Sequence, residues 1–129
     1  MRFEHFALNV ANSRVQSQWY ADHLGFSIVR SQDMAPHTRF LADETGRVVM
    51  EFYTNPAATI PDYFALHPLM FHFAVWSSDV HADRARLEKA GATLFQEEVL
   101  PNGSQLTMLR DPWGLPLQLC QRTNPFPRE

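Results

Sequence analysis

One cysteine, Cys120, stands in a chain of 129 residues. A single thiol excludes an internal disulfide, so no covalent staple supplies the fold. No apolar run approaches the roughly 18–20 residues of a spanning helix. The opening MRFEHFALNV lacks the pattern of a signal peptide. Charge of neither sign dominates: 11 Lys and Arg against 14 Asp and Glu leave a net charge of −3. That balance gives no electrostatic reason to bind nucleic acid or an anionic membrane. What remains is ordinary globular composition, 45% hydrophobic and 19% charged. The length suits one real core or two small fused modules. A soluble cytoplasmic protein acting on a small molecule is the expectation.

What the chain does have is a repeat. His5-Phe6-Ala7-Leu8 returns as His72-Phe73-Ala74-Val75, 67 positions later. Glu51 follows His5 by 46 positions, and Gln118 follows His72 by 46. Repeats of this kind decide the architecture before any local reading does. Arg2–Val10 alternates as a strand, with Phe3, His5, Ala7 and Asn9 on one face. Ser13-x-x-Gln16 has the form of a capping box, and Val15, Trp19, Tyr20 and Leu24 recur at helical spacing before Gly25. Strands follow at 26–31, 38–42 and 48–53, with Asp43-Glu44-Thr45-Gly46 as a hairpin turn.

The second half reads alike: a strand at 70–76, a helix capped by Ser78 or Asp79 and ended by Gly91, then strands at 93–97, 104–110 and 115–121. Asp111-Pro112-Trp113-Gly114 is its turn, 68 positions after the Asp43 turn. The one-residue slip against 67 fits a bulge or a turn of different length. The expected fold is therefore α+β: two tandem βαβββ modules, 1–54 and 70–122, forming a paired, curled mixed sheet with a central cleft. Residues 55–69 would link them, and 123–129 would form a loosely held tail.

In a sheet that places its first and fourth strands side by side, His5 and Glu51 share a concavity, and a dyad brings His72 and Gln118 to the facing side. Imidazole nitrogen and carboxylate oxygen suit Zn, Ni, Co, Mn or Fe, and two His with one carboxylate leave coordination positions open. Gln118 is a weaker oxygen donor, either a fourth ligand or a hydrogen-bonding neighbour. The bland alternatives are a structural His in each strand and a Glu51 carboxylate on an exposed face, since a buried unpaired one would be costly. Trp19, Trp76, Trp113, Tyr20 and Tyr53 are core or cleft lining. Arg39, Arg47 and Arg110 read as solvated strand-end charges, and His23, His37, His67 and His81 as surface residues. Cys120 shares the face of Gln118.

These residues resemble the vicinal oxygen chelate superfamily, which includes glyoxalase I, bleomycin- and fosfomycin-resistance proteins, methylmalonyl-CoA epimerase and extradiol dioxygenases. The matching pieces are His5-x-x-Leu8-x-Val10, Trp19-Tyr20 before Leu24-Gly25-Phe26, Met50-Glu51-Phe52, His72-Phe73-Ala74-Val75 and Asp111-Pro112-Trp113-Gly114 through Leu119. They span nearly the whole chain. The resemblance implies metal ligands on the first and fourth strands of each module, which carries over to His5, Glu51, His72 and the position of Gln118. The departure is Gln118, where the superfamily commonly has Glu. Glyoxalase I resembles a site with two carboxylates, and this chain offers one. The set also contains the His-His-Glu composition of the dioxygenases and fosfomycin enzymes, with the carboxylate in the other module.

The leading expectation is thus a metal-dependent glyoxalase-like lyase or isomerase, acting on a small carbonyl or vicinal-oxygen substrate through a metal-stabilised enolate. Glu51 would move the proton. The alternatives are an Fe(II) extradiol-type dioxygenase and a non-enzymatic protein that binds a drug or small ligand. A homodimer is expected, as is common in the superfamily.

Overall fold

Each half of the chain lays its strands in the same spatial order. The computed structural model describes residues 1–127, and two compact units divide the chain between Pro61 and Asp62. In the first unit the elements are β1 (Phe6–Asn9), α1 (Ser13–Leu24), β2 (Ser27–Ser31), β3 (Arg39–Ala42) and β4 (Val48–Tyr53). In the second they are β5 (Phe73–Trp76), α2 (Val80–Lys89), β6 (Thr93–Val99), β7 (Gln105–Arg110) and β8 (Pro116–Gln121). The sheets run β1-β4-β3-β2 and β5-β8-β7-β6, with one parallel pair in each. The architecture is α+β, two tandem βαβββ modules.

The repeat extends to the register. Phe6 pairs with Met50 and Ala7 with Glu51; Phe73 pairs with Leu117 and Ala74 with Gln118. The strands β1 and β5 are shorter than their sequences suggest, so His5 and His72 both stand one residue ahead of them. The 67-against-68 slip is a bulge. Asp43 lies eight positions before Glu51, and Asp111 lies seven before Gln118. Side chains alternate with period two, so one extra residue would turn Glu51 to the opposite face. Val49 absorbs it: Leu41 pairs with Met50 while Ala42 pairs with Val48. The β7–β8 ladder needs no such shift, with Leu109 on Leu117 and Arg110 on Pro116.

In each module the helix covers one face of the sheet. The helix α1 is capped by Asn12, whose side chain accepts from the Val15 amide, one residue earlier than Ser13. Ser13 is instead buried, donating to the His37 carbonyl. Tyr20, with no exposed surface, packs its ring 5.5 Å from that of Phe52, which marks the Met50–Phe52 face as the one beneath α1. In the second module Asp79 caps α2 by accepting from Ala82, and Gln121 accepts from the Val80 amide. Arg84 of α2 reaches Glu97 on β6. Leu117, Leu119 and Gln121 therefore lie under α2. Leu109, Leu115 and Leu117 have no exposed surface, and each such burial stabilises by roughly 1.5–3 kcal/mol. The opposite, helix-free faces carry Glu51 in one module and Gln118 in the other.

The segment between the strands β4 and β5 has structure of its own. It makes a 3-10 turn at Tyr63–Ala65, and Tyr63 is buried. No helix among the described residues is long and apolar enough to cross a membrane.

Candidate functional site

The first module joins two of its predicted ligands directly. His5 Nε2 stands 3.0 Å from Glu51 Oε2. That separation is normal for a hydrogen bond between the two groups. It also fits two donor atoms held about 2.1 Å from one ion at a right angle, which places them about 3.0 Å apart. The His5 ring sits edge-on to Phe40, centroids 5.3 Å apart, and Phe40 is the ladder partner of Glu51 on β3. The guanidinium of Arg30 lies over the same Phe40 ring, 5.8 Å from its centroid. Both site side chains are partly exposed, 26% for His5 and 16% for Glu51, so solvent and a small molecule can reach them.

His5 Nδ1 meets the Glu4 carboxylate. A ligating imidazole commonly gives its second nitrogen to a carboxylate or carbonyl, which fixes the ring and its tautomer. Strand alternation places Glu4 and His5 on opposite faces, but both precede β1, so the pleat does not separate them. The adjacency of an acid to the repeated His was the available signal for Glu4.

In the second module His72 Nδ1 lies 2.8 Å from the Pro68 carbonyl oxygen. A carbonyl only accepts, so Nδ1 carries the proton and Nε2 of the neutral ring keeps a free lone pair. Gln118 Oε1 accepts from the Cys120 thiol at 3.4 Å. Cys120 is 5% exposed, and burial pushes its thiol above the ordinary value against an opposing pull from Arg122. Each module offers donors of a kind that suits a divalent cation: an imidazole and a carboxylate in the first, an imidazole and an amide oxygen in the second, each imidazole with its Nδ1 engaged. No three or more His, Cys, Asp or Glu side chains gather into a cluster that could hold a metal ion among the described residues.

Two arginines read as solvated are structural. Arg39 is 8% exposed and donates to the carbonyls of Gln32 and Thr38. Arg110 donates to the carbonyls of Tyr63, Leu66 and Gly114. Arg47 is exposed, donating to the Phe3 carbonyl. Trp19 and Tyr20 are core, whereas Trp76 is 47% exposed. On the helix-free face of the second sheet, a cavity of about 230 Å³ is lined by His67, Leu69, Phe95, Glu98, Leu106 and Met108 among others. Met108 is the ladder partner of Gln118.

Among solved structures the chain is similar to TnmS3, an antibiotic binding protein from Streptomyces sp. CB03234, with a TM-score of 0.72 and 20% identity over 95% of this chain and 97% of that chain. It is similar to a glyoxalase I mutant from Zea mays, with a TM-score of 0.72 and 21% identity over 95% of this chain but 46% of that one. A glyoxalase-related enzyme from Fulvimarina pelagi matches with a TM-score of 0.69 and 14% identity, over 94% of this chain and 88% of that chain. At these identities the likeness is one of fold. No curated protein sequence matches. A family model described as a glyoxalase-like domain matches residues 5–120. On that match the chain belongs to the glyoxalase-like family, within the vicinal oxygen chelate superfamily.

Proposed function

We propose that this protein is a metal-dependent lyase or isomerase of the glyoxalase type, with His5, Glu51, His72 and Gln118 as its ligand set. The observation that carries the reading is the 3.0 Å pair of His5 and Glu51, whose register positions His72 and Gln118 repeat. A bound divalent ion (Zn, Ni, Co, Mn or Fe) would supply Lewis-acid stabilisation of negative charge on a substrate oxygen. The residues of the chain do the rest. His5 and His72 present Nε2, each ring fixed through Nδ1 by Glu4 or the Pro68 carbonyl. Glu51 takes a proton from the carbon beside a substrate carbonyl and returns it, which requires that carbon within about 2.6–3.2 Å reach of the carboxylate or one water away. With a single carboxylate in the set, one base serves both transfers. The substrate is a small carbonyl or vicinal-oxygen compound, and the working form is a cytoplasmic homodimer.

Elemental analysis of protein purified without chelator or a His tag, beside a His5→Ala, His72→Ala double variant, tests this. About one metal ion per site, lost in the variant, is the expected result. No metal in either protein after reconstitution overturns it.

A second reading has its own support. The cavity on the Gln118 face has apolar walls at Leu69, Phe95, Leu106 and Met108, which suits a protein that sequesters an aromatic ligand without chemistry. Saturable binding of such ligands by metal-free protein, with no turnover in the loaded one, would select this reading.

A further inference from the structure

The second module contains a strap that ends at His72, and one side chain holds it. Arg110, at the end of β7, donates Nη1 to the Tyr63 carbonyl at 2.8 Å and to the Gly114 carbonyl at 3.0 Å, and Nη2 to the Leu66 carbonyl at 2.7 Å. A guanidinium can satisfy several acceptors in fixed directions at once, which an ammonium on a flexible stem cannot. Its cationic carbon lies 5.5 Å from the centroid of Phe95, whose ring meets His67 edge-on. The strap is also seated from below. A Cβ at Gly114 would fall 2.6 Å from the Phe64 amide nitrogen, so only glycine admits so close a chain there.

Beyond Leu66 the chain turns tightly. The Met70 amide donates to the His67 carbonyl at 2.8 Å, and the Leu69 amide donates to His67 Nδ1 at 3.1 Å. This turn aims the Pro68 carbonyl at His72 Nδ1. Pro68 is itself buried.

We propose that Arg110 is a positioning residue: by holding the strap from Tyr63 to Met70 it sets the tautomer of His72, placing the proton on Nδ1 and the lone pair on Nε2. In the first module it is the adjacent Glu4 carboxylate that meets Nδ1 of His5. That the lone pair serves a metal rests on the ligand reading of His72 given above; the tautomer itself does not.

The test is the long-range ¹H–¹⁵N spectrum of the His72 imidazole in the whole, metal-free protein at pH 8.5, where an ordinary imidazole is neutral. The wild type is expected to give the Nδ1–H pattern. Arg110→Met is expected to move His72 toward the Nε2–H form that neutral histidine favours in water, with Arg110→Lys between the two. If the Met variant does not fold, the Lys variant carries the comparison. An Nε2–H pattern in the wild type overturns the proposal, and so does an unchanged Nδ1–H pattern in the folded variant. Ni(II) titration of the same samples is expected to weaken about 10–100-fold with Arg110→Met, the range for loss of an outer-shell partner. A wild type that has the expected tautomer but binds no Ni(II) or Zn(II) sinks the metal reading and leaves the positioning role standing.

Discussion

Glu51 Oε2 lies 3.0 Å from His5 Nε2, a contact between residues 46 positions apart in the first module. If this pair holds a cation and moves a proton, Glu51→Gln keeps the shape and removes both the charge and the base. Affinity for divalent ions is expected to fall by about 100-fold or more, since the change removes a ligand charge rather than an outer-shell partner. Turnover of a carbonyl substrate should vanish in the same variant. Isothermal titration and a stopped-time assay check the two separately. Activity retained in Glu51→Gln would remove Glu51 from the role of base.

Gln118 occupies the register position equivalent to Glu51. Gln118→Glu adds one unit of negative charge to the proposed donor set. A unit charge pair at 4 Å in partly buried surroundings is worth about 4 kcal/mol, so even a third of that gives roughly tenfold tighter binding. Cation affinity is expected to rise at least that much over wild type. An unchanged affinity would mean that Gln118 stands outside the ligand set.

Cys120 is buried, and burial favours its neutral thiol. Its folded value is raised above the unfolded one, so the stability it contributes is present at neutral pH. That stability is lost as the pH climbs through the raised value. The native thiol is expected to react slowly with iodoacetamide at pH 8, and rapidly in denaturant. Denaturant midpoints should fall on going above about pH 9, and Cys120→Ser should flatten that alkaline fall. A thiol modified as fast in the native protein as in the unfolded one contradicts the burial.

Deleting Val49 removes the residue that the β3–β4 ladder already skips. The ladder can then run as β7–β8 does, and Glu51 keeps its face. The deletion is expected to leave the fold intact, at a cost of about 1 kcal/mol or less, comparable to a conservative surface change. Deleting Met50 instead leaves Val49 to take a position with no exposed surface, and the smaller side chain should make this deletion the costlier of the two by about 1 kcal/mol or more. Thermal melts of the two variants settle the comparison.

The repeat was legible because it is written in residue types at equal spacing, and spacing survives folding as register. His5, Glu51, His72 and Gln118 fall at positions that the strand pairings then relate in the same way. Local endings were less legible. Asn12 takes the cap expected of Ser13, because Ser13 turns inward to the His37 carbonyl. Arg110 read as a solvated charge, since a strand end is usually open to water. Its partners are carbonyls of an irregular segment, and such segments have no period by which to anticipate where they pass. The strand β6 ran on to Val99, past the point where its sequence suggested an end, and it is exposed along its whole length, so burial could not mark its limit. For Glu4 the pleat argument pointed the wrong way, because the strand it assumed begins only at Phe6.

The bulge at Val49 separates how long a half is from what it displays. A turn or strand here can gain a residue, and the surplus is discarded sideways before the chain reaches the chemically important position. The two halves are therefore free to drift in length while continuing to offer matching donors, and an engineer lengthening one of them has a place already prepared to hide the change.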